Sequence, residues 1–347
     1  MPTARISWIG IAYSSVALLA APSIGYGHHS RTNFRYDTVV ELAGTVTAHE
    51  YRNPHAYLML ETTTETGEVQ EWLLAANSVS NLRRGGWNAD TFTVGDSVVV
   101  RGNPDRDADK HLLFVDIVTK LDGSVYRSGA LAPGGQDESS NNARGGSTDF
   151  SGVWQPDFSA RNIASGFMAA DLPMTEKGQP FLDAYDPADD PALNCEAESL
   201  PMTLLPIYPV EFSRVGSDEL HIWYEQFDGR RVIHLGLDRR PGDTAPSLMG
   251  YSIGSIDGNV LTVDTTNFTE DHWGLGRGAP SGLQKHVSER YTLSSDGMRL
   301  DVEYTFEDPE YLAEPVTESG FMLLNPDYAM KAWDCDPESA RRHLSVE

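Results

Sequence analysis

Residues 77–87 read NSVSNLRRGGW, set between VQEWLLAA (69–76) and SVVVRGN (97–103), two runs that alternate as strands do. Asn77 or Ser78 suits the N-cap of a short helix, and Gly85–Gly86 stops it. Working outward, VVELAGTVTAHEY (39–51) and AYLMLET (56–62) precede this segment, and HLLFVDIVTK (111–120) follows it. Five strands with one helix between the third and fourth predict an OB-like five-stranded barrel.

Beyond it, SGALAPGGQDESSNNARGGSTD (128–149) has no apolar period and is rich in Gly, Ser and Asn, the composition of a flexible linker. The rest of the chain is a series of hairpins. Turn signals at Gly216–Asp218, Asp228–Gly229, Asp257–Gly258 and Asp296–Gly297 separate alternating runs. Closely spaced antiparallel strands of this kind predict an up-and-down barrel or sandwich. Gly152 and Trp154 in SGVW have the Gly-x-Trp spacing of lipocalins. The expected fold is therefore all-β: an OB-like barrel over 28–127, a linker over 128–149 and a lipocalin-like antiparallel barrel over 150–347.

The first 27 residues read as a secretion signal. Arg5 precedes an apolar run from Ile6 to Ala21, and Gly25 and Gly27 stand three and one before His28. The run is too short for a membrane span, no cysteine lies near the cut for a lipid anchor, and no later segment is apolar enough to cross a bilayer. A periplasmic or secreted location is expected, without a stable membrane anchor. In that compartment the two cysteines, Cys195 and Cys335, are expected to form one disulfide. The net charge of −25 is concentrated after residue 150, where it reaches −20. That argues against nucleic acid, whose binding rests on basic phosphate contacts. A solvated acidic surface is the plainer meaning, attraction of cations the sharper one.

GYGHHS (25–30) raises a chemical question. Cleavage between Gly27 and His28 gives a mature chain whose first residue chelates a metal through its amine and its imidazole. A further imidazole completes a three-nitrogen site, and among Cu(II), Ni(II) and Zn(II) copper binds tightest by intrinsic order. His55, in NPHA (53–56), is the expected partner, with His29 in support; Asn53–Pro54 sets it at a turn into a strand. Cleavage elsewhere removes the amine and leaves His28 and His29 an exposed pair. His49 reads as a surface strand residue.

In the second domain HIWYEQF (221–227) and RRVIHL (230–235) form one predicted hairpin. With period two, His221, Trp223, Glu225 and Phe227 share a face, as do Val232 and His234. Glu225, Arg231 and His234 are candidate contacts for a small, partly apolar ligand inside the barrel, or an acid–base pair; a buried pair fixing register is the structural alternative. The loop FTEDHWGLGRGAPSGLQKHVSER (268–290) adds His272, Trp273 and His286 as candidates at the mouth. Ser281 lacks the context of a nucleophile elbow, and GLGRG matches no phosphate-binding pattern. DAYDPADDP (183–191) lacks EF-hand spacing and reads as Asx–Pro turns.

HHS (28–30), GTV (44–46), NPHAYLMLE (53–61), LRRGGW (82–87) and GDSVVVRG (95–102) together resemble a family of uncharacterised small periplasmic proteins of Proteobacteria and Acidobacteria. The resemblance spans about 27–123 and implies export, but no reaction. DLPMTEKGQPFLDAYDPADDP (171–191), YPVEF (208–212), YEQFDGRRVIHL (224–235) and ERYTL (289–293) are similar to uncharacterised secreted proteins. A mature N-terminal histidine also resembles that of copper-dependent polysaccharide monooxygenases and periplasmic copper carriers. The leading expectation is a periplasmic binding protein carrying copper at its N-terminus and a small ligand in the second barrel. The alternative is a secreted enzyme, either a copper-dependent oxidoreductase or an acid–base lyase or isomerase.

Overall fold

A computed structural model describes residues 34–64, 66–128, 148–156, 172–204, 208–237, 242–276 and 278–342. The expected signal segment, His28, His29 and most of the expected linker lie outside them.

The first barrel follows the expected order. Strands β1 (Val40–Glu50), β2 (Tyr57–Thr63) and β3 (Val69–Ala75) form a meander, helix α1 (Val79–Arg84) crosses, and β4 (Ser97–Pro104) and β5 (Leu112–Lys120) return. β1 pairs antiparallel with both β2 and β4, and β3 pairs parallel with β5, which closes five strands in the OB order. A short β6 (Val125–Arg127) extends the edge of β5. Ser78, one of the two expected caps, holds α1 by accepting from the Asn81 N–H. Gly102 stands where a bulge brings β4 against β5: a Cβ there meets the Phe114 carbonyl oxygen at 2.2 Å. Val46, Leu58, Leu60, Leu74, Leu82, Trp87, Val100 and Leu113 fill the interior.

The second barrel is closed by nine strands. They are β7 (Gly152–Pro156), β8 (Val210–Val215), β9 (Glu219–Tyr224), β10 (Arg230–Leu235), β11 (Tyr251–Asp257), β12 (Val260–Thr266), β15 (His286–Leu293), β16 (Arg299–Glu307) and β17 (Val316–Leu324). All four turn signals fall between paired antiparallel strands. β7 starts at the Gly-x-Trp element, and Trp154 is fully buried with its indole N–H on the Phe150 carbonyl. Two features go beyond a simple meander. β10 and β11 run parallel, and there a Cβ on Gly254 meets the Ile233 side chain at 2.5 Å. A small hairpin, β13 (Asp271–Gly276) with β14 (Ala279–Ser281), is inserted between β12 and β15.

The two cysteines form the expected disulfide. It holds a C-terminal strap, residues 325–342 with helix α2 (Pro337–Arg341), against the segment around Pro191–Asn194. No helix among the described residues is long and apolar enough to cross a membrane.

Candidate functional site

The turn that carries His55 lies where the first barrel meets the strap. Asn53 is buried, and the Asn53–Pro54 bond is cis. Its Oδ1 accepts the Val79 N–H at 3.0 Å and so ties the turn to the start of α1. Its Nδ2 donates to the Trp333 carbonyl, and its own carbonyl accepts the Asp336 N–H at 3.0 Å in a parallel bridge with Cys335. One side chain thus joins turn, helix and strap. Trp333 is 2% exposed between the rings of Tyr208 and Phe227, and its backbone N–H donates to Asp228 Oδ2. Ser339 Oγ donates to the His55 carbonyl at 2.8 Å, while Arg342 pairs with Glu50 and lies over the Tyr57 ring.

The half-buried His55 ring donates Nδ1–H to the Ala76 carbonyl at 3.2 Å. A carbonyl only accepts, so the bond puts a ring proton on Nδ1, and in the neutral ring the lone pair is then on Nε2. His49, expected at the surface, is half-buried against Tyr51 and Phe92. Burial lowers its pKa, against the opposing pull of the Phe92 and Ala89 backbone. Among the described residues no group of three or more His, Cys, Asp or Glu is placed to hold a metal. His28 and His29 fall outside that set.

The candidates from the second barrel do not converge. The inward face of the 221–235 hairpin is the one carrying Ile222 and Tyr224, and then Arg231, Ile233 and Leu235. His234 therefore points outward, stacked on Tyr251 at 4.5 Å and 3.6 Å from Glu219. Glu225 lies past the end of β9, at the seam between the barrels rather than inside one. His272 is exposed, and Trp273 leans on Tyr185. His286 sits on the outer wall between Glu307 at 2.8 Å and Asp264 at 2.9 Å. Burial acts to lower its pKa, but those two carboxylates hold it above the usual value.

Only Arg231 enters the barrel, and there it is saturated. Its Nη1 and Nη2 meet both oxygens of Glu289 at 2.9 and 2.5 Å, Nη2 also reaches Thr265, and Nε donates to Ser252. Tyr291 completes the Glu289 shell at 2.7 Å. Leu261, Val302, Tyr304 and Phe306 pack within the same core cluster. The expected ligand contact is thus a buried fastener in a filled interior, because this bidentate pair satisfies charges that a ligand would otherwise have met.

Sequence reasoning missed the polar seam. Glu225 is 1% exposed, and its Oε1 accepts from Ser80 Oγ at 2.5 Å, Arg83 Nη2 at 2.6 Å and Tyr328 OH at 3.0 Å. Ser80 and Arg83 belong to α1, and Tyr328 to the strap. Arg83–Arg84 ahead of the stopping glycines was visible as two cations at a helix C-terminus; their carboxylate partner was 142 residues away for Arg83. Sequence reasoning also missed Lys285, 1% exposed, which donates to Ser199 Oγ at 3.2 Å and the Leu200 carbonyl at 2.8 Å. Burial pushes its pKa down to about 8, against the pull of Asp271 and Asp308.

Residues 16–114 match the model of a family of unknown function, DUF6152, which covers the His55 turn and most of the first barrel. No curated protein matches the chain. No solved structure matches it.

Proposed function

We propose that this is an exported metal-binding protein whose first barrel presents His55 to a copper ion. Cleavage after Gly27 would give His28 an amino nitrogen beside its ring, and His28 with His55 would supply the nitrogen set, His29 standing next to it. Imidazole and amine nitrogens suit Cu(II) above the other divalent ions. The observation that carries the reading is the His55 Nδ1–H bond to the Ala76 carbonyl. Metal-ligating histidines anchor one ring nitrogen in this way, which orients the other and raises its basicity. The turn beneath it is tied to α1 and to the strap through Asn53, the rigidity a ligand position requires.

In this reading the second barrel supports the metal module through the strap. A small ligand inside that barrel has no comparable support, since the donors of Arg231 are taken up by protein.

Two measurements test the proposal. Intact mass of the protein recovered from the periplasm should place the first residue at His28; any other terminus removes the amine chelate. Titration with Cu(II) should then give one tight site per chain that His55→Ala weakens about 10-fold or more. Unchanged affinity in that variant contradicts the proposal. Bound copper reduced in a substrate-dependent way assigns an oxidoreductase instead of a carrier.

A further inference from the structure

The disulfide closes over the turn that carries His55. Cys335 itself forms the parallel bridge with Asn53, and the residues around it grip the turn. The Trp333 carbonyl accepts from Asn53 Nδ2, and the Asp336 N–H donates to the Asn53 carbonyl at 3.0 Å. Ser339 Oγ donates to the His55 carbonyl at 2.8 Å, and Asp336 Oδ2 accepts from Arg52 at 2.9 Å. Arg52, Asn53 and His55 are thus all bonded to residues 333–339.

The covalent link is the strongest tie on this part of the strap. Asp336 and Ser339 lie beyond Cys335, and α2 has five residues, too few to be stable as a helix alone. Buried Ala340 and the side-chain bonds from Arg341 to Asn194 and Arg342 to Glu50 also hold it. Ion pairs and polar bonds in contact with solvent hold weakly. At the other end of the link, Cys195 caps the turn Pro191–Asn194 with φ +62°, and Asp334 beside Cys335 has φ +45°. Left-handed backbone at residues other than glycine persists only where the surroundings impose it. Both cysteines are half-buried, so solvent reaches the bond. Accessible disulfides in strained backbone have the character of the labile, regulatory class.

We infer that the Cys195–Cys335 disulfide gates the metal site on the His55 turn: formed, it clamps the strap onto the turn, and reduced, it frees the strap and the site loses affinity. The inference rests on the reading of His55 as a copper ligand. The chemistry is exchange with a dithiol. One thiolate of the dithiol attacks one sulfur of the bond and expels the other cysteine as a thiolate, which takes a proton. The second thiol then resolves the mixed disulfide. Two electrons and two protons have passed to Cys195 and Cys335, and the dithiol leaves as a disulfide. On an exported chain the bond closes in the oxidising compartment, so the site gains its full affinity only there.

The first test needs no metal. Backbone order parameters from ¹⁵N relaxation are compared in the full mature protein with the disulfide intact and after reduction by dithiothreitol. Reduction should take Asp336 and Ser339 from about 0.85 to below about 0.6 and lower His55, while Leu60 and Val100 in the barrel strands keep their values. The second test titrates Cu(II) into Cys195→Ser/Cys335→Ser, which has no thiol to react with copper. Folded by circular dichroism, it should bind about 5- to 10-fold more weakly than wild type. Unchanged order parameters at His55 and Asp336 overturn the gate whatever the copper result. So does a wild-type copper site that needs His55 but keeps its affinity in the double variant. A wild type without any His55-dependent copper site overturns the metal reading, and the gate with it, even where reduction loosens the turn.

Discussion

Two arginine–glutamate pairs, one finished and one not, set two regions of the molecule apart. Inside the second barrel, Arg231 and Glu289 are bidentate, 1% and 0% exposed, and every donor of the arginine that reaches a partner does so within protein. At the seam, Glu225 is buried at 1% and Arg83 half-buried at 18%, but the arginine Nε and the glutamate Oε2 have no protein partner. The same residue types thus do two jobs. A saturated pair holds strands in register, whereas the seam pair keeps polar atoms that no protein group meets. The proposed metal site lies outside the barrel interior, on the His55 turn.

The largest effect should come from breaking the finished pair. Arg231→Met leaves Glu289 buried and uncompensated and should lower unfolding free energy by about 3–5 kcal/mol, read from the urea midpoint. The double variant Arg231→Met/Glu289→Leu should recover most of that loss, since neither charge is then stranded. A double variant no more stable than the single would mean that the surrounding Ser252, Thr265 and Tyr291 depend on the pair. Next in size is the strap. Replacing both Cys195 and Cys335 by alanine opens a link between residues 140 apart in sequence and should cost about 2–4 kcal/mol.

The unfinished pair should respond less. Glu225→Gln keeps the shape but weakens the bonds from Arg83, Ser80 and Tyr328, for a loss of about 1–3 kcal/mol by the same measurement. If it costs as much as Arg231→Met, the contrast between the two pairs is wrong. The smallest effect belongs to His286 on the outer wall. Its folded pKa lies above the unfolded value of 6.5, so its contribution is full below pH 6.5 and is lost as pH rises through the folded pKa. His286→Gln should remove that pH dependence, with a difference under about 1 kcal/mol because the pair is partly solvated.

The barrels were legible because their strands alternate and their turns carry Asp–Gly pairs at the right spacing. Ser78 and Gly85–Gly86 marked the one helix that separates the OB order from other five-stranded arrangements. Which face of the 221–235 hairpin turns inward was not legible. Both faces carry large apolar groups, Ile222 and Tyr224 against Trp223 and Phe227, so the period did not discriminate. The deciding contact is Arg231 with Glu289, 58 residues away in sequence, and until that partner is known an inward arginine reads equally as a ligand contact or a buried pair. The seam was hidden for the same reason, since Glu225 meets Ser80, Arg83 and Tyr328 only through tertiary folding. His55 was singled out by its neighbours Asn53 and Pro54; that Asn53 also anchors the strap, 280 residues on at Trp333, required the structure.

The central claim is that His55 is a metal ligand held by the first barrel. Electron paramagnetic resonance of the purified protein beginning at His28, with one equivalent of Cu(II), tests it most directly. The wild type should show nitrogen hyperfine structure from the amine and imidazoles, and His55→Ala, folded by circular dichroism, should lose one imidazole contribution and show altered copper parameters. An identical spectrum in wild type and His55→Ala would contradict the account.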